Sequence, residues 1–128
     1  MLIATWIITG IVAAINLLAG GGKASTPWPQ LQEKMPWTAT TGKGPAYLAA
    51  WAEVVGAVGA IVPLIIAHTV SGWEWAGWVS FAAVIGLTVI QVLAIGVHAK
   101  RKEFNVLPVN VVLITLGVAS AVLIAITL

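Results

Sequence analysis

Four apolar stretches, each about as long as a bilayer-crossing helix, leave this sequence little room for any other fold. They run from Met1 to Gly22, Ala46 to Thr69, Ala76 to Val97 and Leu107 to Leu128. Roughly 20 apolar residues cover the ~30 Å hydrocarbon core at ~1.5 Å per residue. Backbone N–H and C=O groups find no water there, so stretches of this length must be helical. Composition agrees: 60% of the residues are hydrophobic and 8% charged, against roughly 25% charged in soluble domains. Six Lys/Arg and four Glu side chains cannot cover a water-facing surface, and the solvent must be lipid. The reading is one all-α domain over residues 1–128, an integral membrane four-helix bundle.

Met1-Leu2-Ile3-Ala4 has no positive leader, and the stretch it opens exceeds a signal-peptide core, so it reads as a retained helix. Pro63 falls inside the second stretch, where a kink is expected. Pro108 begins the fourth, where a missing N–H does no harm. The connections are unequal. Lys23 to Pro45 is long and holds Pro27, Pro29, Pro36, Pro45, Trp28 and Trp37. It is too proline-rich for a continuous helix and is expected to cap the bundle end. Val70 to Trp75 is a short turn, and His98 to Val106 a compact polar one.

In an up-and-down bundle the first and third connections share one side. All six basic residues fall there: Lys23, Lys34, Lys43, Lys100, Arg101 and Lys102. By the positive-inside bias, the termini lie outside and the charged connections in the cytoplasm. Tryptophans fit two interface belts, with Trp28, Trp37 and Trp51 near the charged side and Trp6, Trp73, Trp75 and Trp78 near the other. A net charge of +2, clustered at one end, is no nucleic-acid footprint.

Several chemistries drop out. Without cysteine there is no thiol exchange, thiolate nucleophile or iron–sulfur ligation. Without Asp there is no Ser–His–Asp arrangement. Gly20-Gly21-Gly22 lacks the strand and spacing of a phosphate loop. His68 and His98 lie on opposite sides of the membrane, so they cannot hold one metal or haem, and no metal site is expected.

Six polar residues in or at the ends of the apolar stretches, Asn16, Lys23, Glu53, Gln91, His98 and Asn110, lie in the charged-side half. Asn16 and Lys23 are seven apart on the first helix, hence on one face; Gln91 and His98 are seven apart on the third. Glu53 lies seven residues beyond Ala46, and Asn110 in the first turn of the fourth helix. A carboxylate at the centre of a span costs about 2.5–3.5 kcal/mol on insertion scales, so Glu53 needs a partner. Lys23, His98 and Arg101 are the candidates. Such a pair serves either to fix helix register or to bind a ligand or proton. His98 reads either as an interfacial hydrogen-bonding residue or as an acid/base beside Glu53. Lys100, Arg101 and Lys102 read first as a topology signal and lipid anchor. Gln91 reads as a helix–helix hydrogen bond, and Ala52, Gly56 and Ala60, four apart, suit bundle packing as well as a homodimer seam.

Three groups of residues together resemble the DoxX-like family of small bacterial membrane proteins. They are Gly22-Lys23 with Met35-Pro36-Trp37; the run from Glu53 through Gly56, Gly59 and Pro63; and His98-Ala99-Lys100-Arg101-Lys102-Glu103 followed by Asn110. The resemblance implies a four-helix bundle in the bacterial cytoplasmic membrane. It also implies links to quinone or oxidative-stress pathways, some relatives looking like subunits of thiosulfate:quinone oxidoreductases. The early arginine common in the first helix of relatives is absent.

The leading expectation is a pocket for a lipophilic molecule, a quinone foremost. Glu53, Lys23 and His98 would bind its head, Trp37 and Trp51 would flank it, and Asn16, Gln91, Arg101 and Asn110 would complete the polar lining. The competing expectations are a cofactor-free isomerase, hydratase or cyclase with Glu53 and His98 as acid and base, and an accessory subunit of a larger membrane complex. Transport ranks lower, because small four-helix exporters carry their carboxylate on the first helix and this chain has none there.

Overall fold

Each apolar stretch forms one helix in the computed structural model, which describes residues 1–128. The elements are α1 (Leu2–Ser25), α2 (Trp28–Lys34), α3 (Thr38–Thr41), α4 (Lys43–Thr69), α5 (Ala76–Lys100) and α6 (Leu107–Thr127). The four long helices, α1, α4, α5 and α6, are long and apolar enough to cross a membrane. They form a ring in which α1 and α5 each pack against both α4 and α6. Chain neighbours are therefore space neighbours, as in an up-and-down bundle.

The radial arrangement is what lipid demands. Buried positions recur every three or four residues, as at Ala46, Ala50, Glu53, Ala57, Ala60, Leu64 and Ala67 of α4. Much of what is buried is small or polar: Thr5, Thr9, Asn16, Ser80, Gln91, Asn110 and Ser120 all lie inside. Large aliphatics such as Ile3, Leu18, Val55, Leu93 and Val122 face outward. Acyl chains are as apolar as leucine, so helices gain by close packing and polar contacts rather than by hiding aliphatics. Gly20 marks the closest approach of α1 to α4. A Cβ there would stand 2.6 Å from the Ala50 carbonyl oxygen and 2.7 Å from Glu53 Cβ. The small-residue stripe of α4 is used at least partly inside the bundle: Ala60 joins the core cluster with Leu64, Val84 and Ile124, and Gly56 faces Leu87 of α5.

Two expectations need correction. The connection between α1 and α4, expected as a proline-rich cap without a continuous helix, is more regular than that: most of it is helical, in the two short helices α2 and α3. Its prolines occupy places where a missing N–H costs nothing. Pro27 is the N-cap of α2, Pro29 lies in its first turn, and Pro45 lies in the first turn of α4. The long helices also outrun their apolar stretches at the charged end, α1 to Ser25, α4 from Lys43 and α5 to Lys100. Hydropathy marks the hydrocarbon, whereas backbone hydrogen bonding continues into the interface. Glu53 is thus ten residues from the start of α4, about 15 Å rather than the ~10 Å that counting from Ala46 gives. Pro63 lies within α4 without ending it.

The cap is tied down by its own side chains. Leu31 and Thr38 are buried, the Tyr47 hydroxyl donates to the Thr26 carbonyl at 2.5 Å, and Arg101 Nη1 donates to Thr40 Oγ1 at 2.7 Å. The last bond holds the first and third connections together at one end.

Candidate functional site

Glu53 faces inward and meets a cation. Its side chain is 3% exposed, and Lys23 Nζ, on a side chain 13% exposed, donates to its Oε1. Local structure explains both positions. Gly20 lets α1 settle against the α4 backbone at the level of Glu53, and Lys23, one turn on, falls in the last turn of α1, where a cation suits the helix dipole. Lys23 Nζ also lies 5.8 Å from the centre of the Trp37 ring, within cation–π range.

Trp37 then meets His98 edge-on, with ring centres 6.0 Å apart. His98 has a carboxylate of its own: Nδ1 stands 3.2 Å from Glu103 Oε1, the same oxygen that Arg101 Nε reaches at 3.2 Å. The end of α5 brings this about. Lys102 takes a left-handed conformation, φ 57°. The Glu103 N–H then donates back to the His98 carbonyl at 2.9 Å and the Lys102 N–H to Ala99 at 3.1 Å. These are the paired bonds of a Schellman termination, formed with lysine where glycine is usual. They fold Glu103 back onto His98.

On the α5–α6 side, Asn110 Nδ2 donates to Gln91 Oε1 at 2.9 Å, and both residues are buried. A cavity of about 600 Å³ connects these groups. Its wall includes Lys23 from α1, Trp37 from the cap, Glu53 from α4, Gln91 and His98 from α5 and Asn110 from α6, set among mainly apolar residues. Leu48 of α4 and Leu93 of α5 line it while also being exposed on the outer face, so the wall runs out to the lipid-facing surface. No three His, Cys, Asp or Glu side chains gather as they would around a metal ion.

A model of the DoxX-like family matches residues 7–120, a span containing every group just described. The chain belongs to the DoxX-like family. No curated protein and no solved structure matches it significantly. The site of this DoxX-like protein therefore has to be read from its own geometry.

Of the residues singled out in the sequence, Lys23, Trp37, Glu53, Gln91, His98 and Asn110 come together around the cavity. Three lie elsewhere. Asn16 is buried one level away, donating through Nδ2 to the Val12 carbonyl at 2.8 Å. Trp51 is 57% exposed on the outer face of α4. Arg101 joins Glu103 and Thr40 in the cap. Met35 and Thr41 of the cap and Pro45 at the start of α4 line the cavity without having been named as site residues. Nothing in their residue types marks them, because the fold of the cap brings them there. In the sequence Glu103 stands only within the stretch that carries the family resemblance; the helix termination makes it the partner of His98. At the opposite end, exposed Glu74 is held below the ordinary carboxylate value, first by its own backbone N–H and then by that of Gly72, 3.2 Å away.

Proposed function

We propose that this DoxX-like bundle is a binding module for a small lipophilic molecule, whose polar head enters the cavity sideways from the membrane. A quinone-type ring suits the site best. The carrying observation is the cavity itself, about 600 Å³, with the buried Lys23–Glu53 pair in a mostly apolar wall. Pockets for small ligands usually fall within about 300–1,000 Å³ and combine apolar walls with a few convergent polar groups. A ring carbonyl accepts hydrogen bonds, and Lys23 and His98 are donors at the cavity wall. The chain carries no redox-active side chain beyond Trp and Tyr47. In any electron transfer the redox group would therefore be the bound molecule or a partner subunit.

This reading stands ahead of acid/base catalysis by Glu53 and His98 as a couple, because the two do not meet: Glu53 pairs with Lys23 and His98 with Glu103. Turnover of a membrane-dissolved substrate by the isolated chain would reverse that order. The charge bias supports a site on the cytoplasmic side with both termini outside, and the family supports a bacterial inner membrane. Assembly as a homodimer or within a larger complex is compatible with the small-residue face of α4.

The test is titration of the purified protein in lipid nanodiscs with a short-chain alkyl benzoquinone. His98→Ala is expected to weaken binding about tenfold, the loss of one good hydrogen bond, and Glu53→Gln to weaken it by releasing the Lys23 ammonium that the carboxylate holds at the wall. Unchanged affinity in both variants would rule the reading out.

A further inference from the structure

The Gln91–Asn110 pair leaves one hydrogen-bonding group of each kind unused. Asn110 Nδ2 donates to Gln91 Oε1. That leaves the Gln91 amide NH₂ without an acceptor and Asn110 Oδ1, a buried carbonyl oxygen, without a donor. Exchanging oxygen and nitrogen in both amides gives the same inventory, one free NH₂ and one free C=O. Both side chains line the cavity, Gln91 at 7% and Asn110 at 8% exposure. A buried amide oxygen with no partner is costly, and in a lipid-embedded bundle bulk water does not reach it.

We infer that this pair is a head-group subsite for a group that donates and accepts at once, a hydroxyl rather than a ketone. The ligand class is a hydroxyl-bearing lipophilic ring, such as an alkylated phenol or hydroquinone. A hydroxyl gives its proton to Asn110 Oδ1 while its oxygen accepts from the Gln91 amide. A ketone satisfies only Gln91 and seals Asn110 unpaired beneath it. The Lys23–Glu53 pair on the α1–α4 wall makes no such distinction, because it carries donors and an acceptor together and can receive a carbonyl or a hydroxyl. This inference rests on the pocket reading above. Asn16 supplies the internal contrast: its Oδ1 is likewise buried and unpartnered, yet it stands outside the cavity wall.

The experiment compares three ring compounds of one alkyl chain, a hydroquinone, its quinone and its dimethyl ether, on the protein in nanodiscs. The hydroquinone is expected to bind about tenfold tighter than either of the others, one hydrogen bond being at stake. Asn110→Leu should sharply lower that ratio, because it removes the unpaired acceptor that a ketone leaves sealed, whereas Asn16→Leu should preserve the ratio. If Asn110→Leu does not fold, the wild-type comparison of hydroquinone with ether still decides. Equal binding of all three compounds, or an undiminished ratio in Asn110→Leu, overturns the subsite and leaves the pocket standing. Binding of none of them overturns the pocket reading, and this inference with it.

Discussion

The two halves of the bundle use the same four helices in opposite ways. Toward the termini and the second connection, polar side chains are short, and most bond within their own helix or across one seam, although Ser80 Oγ is buried without a partner. Thr9 Oγ1 and Ser120 Oγ share a bond of 2.6 Å across α1 and α6, and Thr5 Oγ1 bonds the Met1 carbonyl at 3.0 Å. Ala13, Ala57, Ala60, Leu64, Val84, Ala121 and Ile124 fill the space around them. Toward the connections the polar groups are long, one pair is charged, and partners come from other helices. There the interior opens into the cavity. A half built of hydroxyls and alanines closes because its residues demand little volume. The half with Glu53, Lys23, Gln91 and Asn110 keeps α1 tight against α4 at Gly20 and leaves its open space between the two polar pairs.

The contrast breaks most readily at the ion pair. Lys23→Met strands a carboxylate that is 3% exposed and should cost about 3–5 kcal/mol of stability. Glu53→Leu should cost markedly less, because Lys23 sits in the last turn of α1 and can extend to the interface. Reversible unfolding in mixed detergent measures both. Equal losses would mean that the pair is not buried as described.

Next in size is the close approach that sets up the pair. Gly20→Ala drives a Cβ into the α4 backbone and Glu53 and should cost about 1–3 kcal/mol, the usual range for overpacking. Gly117→Ala meets the Thr88 hydroxyl at 2.1 Å, a side chain that can rotate, and should fall at the low end of that range. Thermal unfolding ranks them, and the opposite order would locate the tight seam between α5 and α6 instead.

The smallest effect belongs to the sealed half. A double-mutant cycle of Thr9→Val and Ser120→Ala should give a coupling of about 0.6 kcal/mol, and no more than about 1.7, as interhelical bonds in membranes do. The cavity's ligand affinity should not change. A larger coupling, or an altered affinity, would show that the two halves are not independent.

Much of this was legible in the residues, unevenly and for identifiable reasons. The four spans follow from hydropathy because the cost of placing polar groups in hydrocarbon is local and additive along the chain. Glu53 announced itself by the same arithmetic, since a carboxylate in mid-span requires company. Helix ends at the charged side were misjudged because Ala24-Ser25 and Lys43-Gly44-Pro45 are not apolar yet continue the backbone ladder. The prolines of the cap suggested broken structure, although three of them stand at helix starts.

By itself the sequence determined that this protein has lipid for its solvent, that four helices cross it, and that the polar chemistry gathers at one end. Tertiary structure decided which polar groups meet: Lys23 rather than His98 beside Glu53, Glu103 beside His98, Gln91 with Asn110, and Asn16, Trp51 and Arg101 outside the cavity. The reason is geometric. Membership of a span depends on composition summed along one dimension, whereas pairing depends on the rotation and height of each helix. Those are set by close contacts such as Gly20 on α4, and by how the cap and the end of α5 fold.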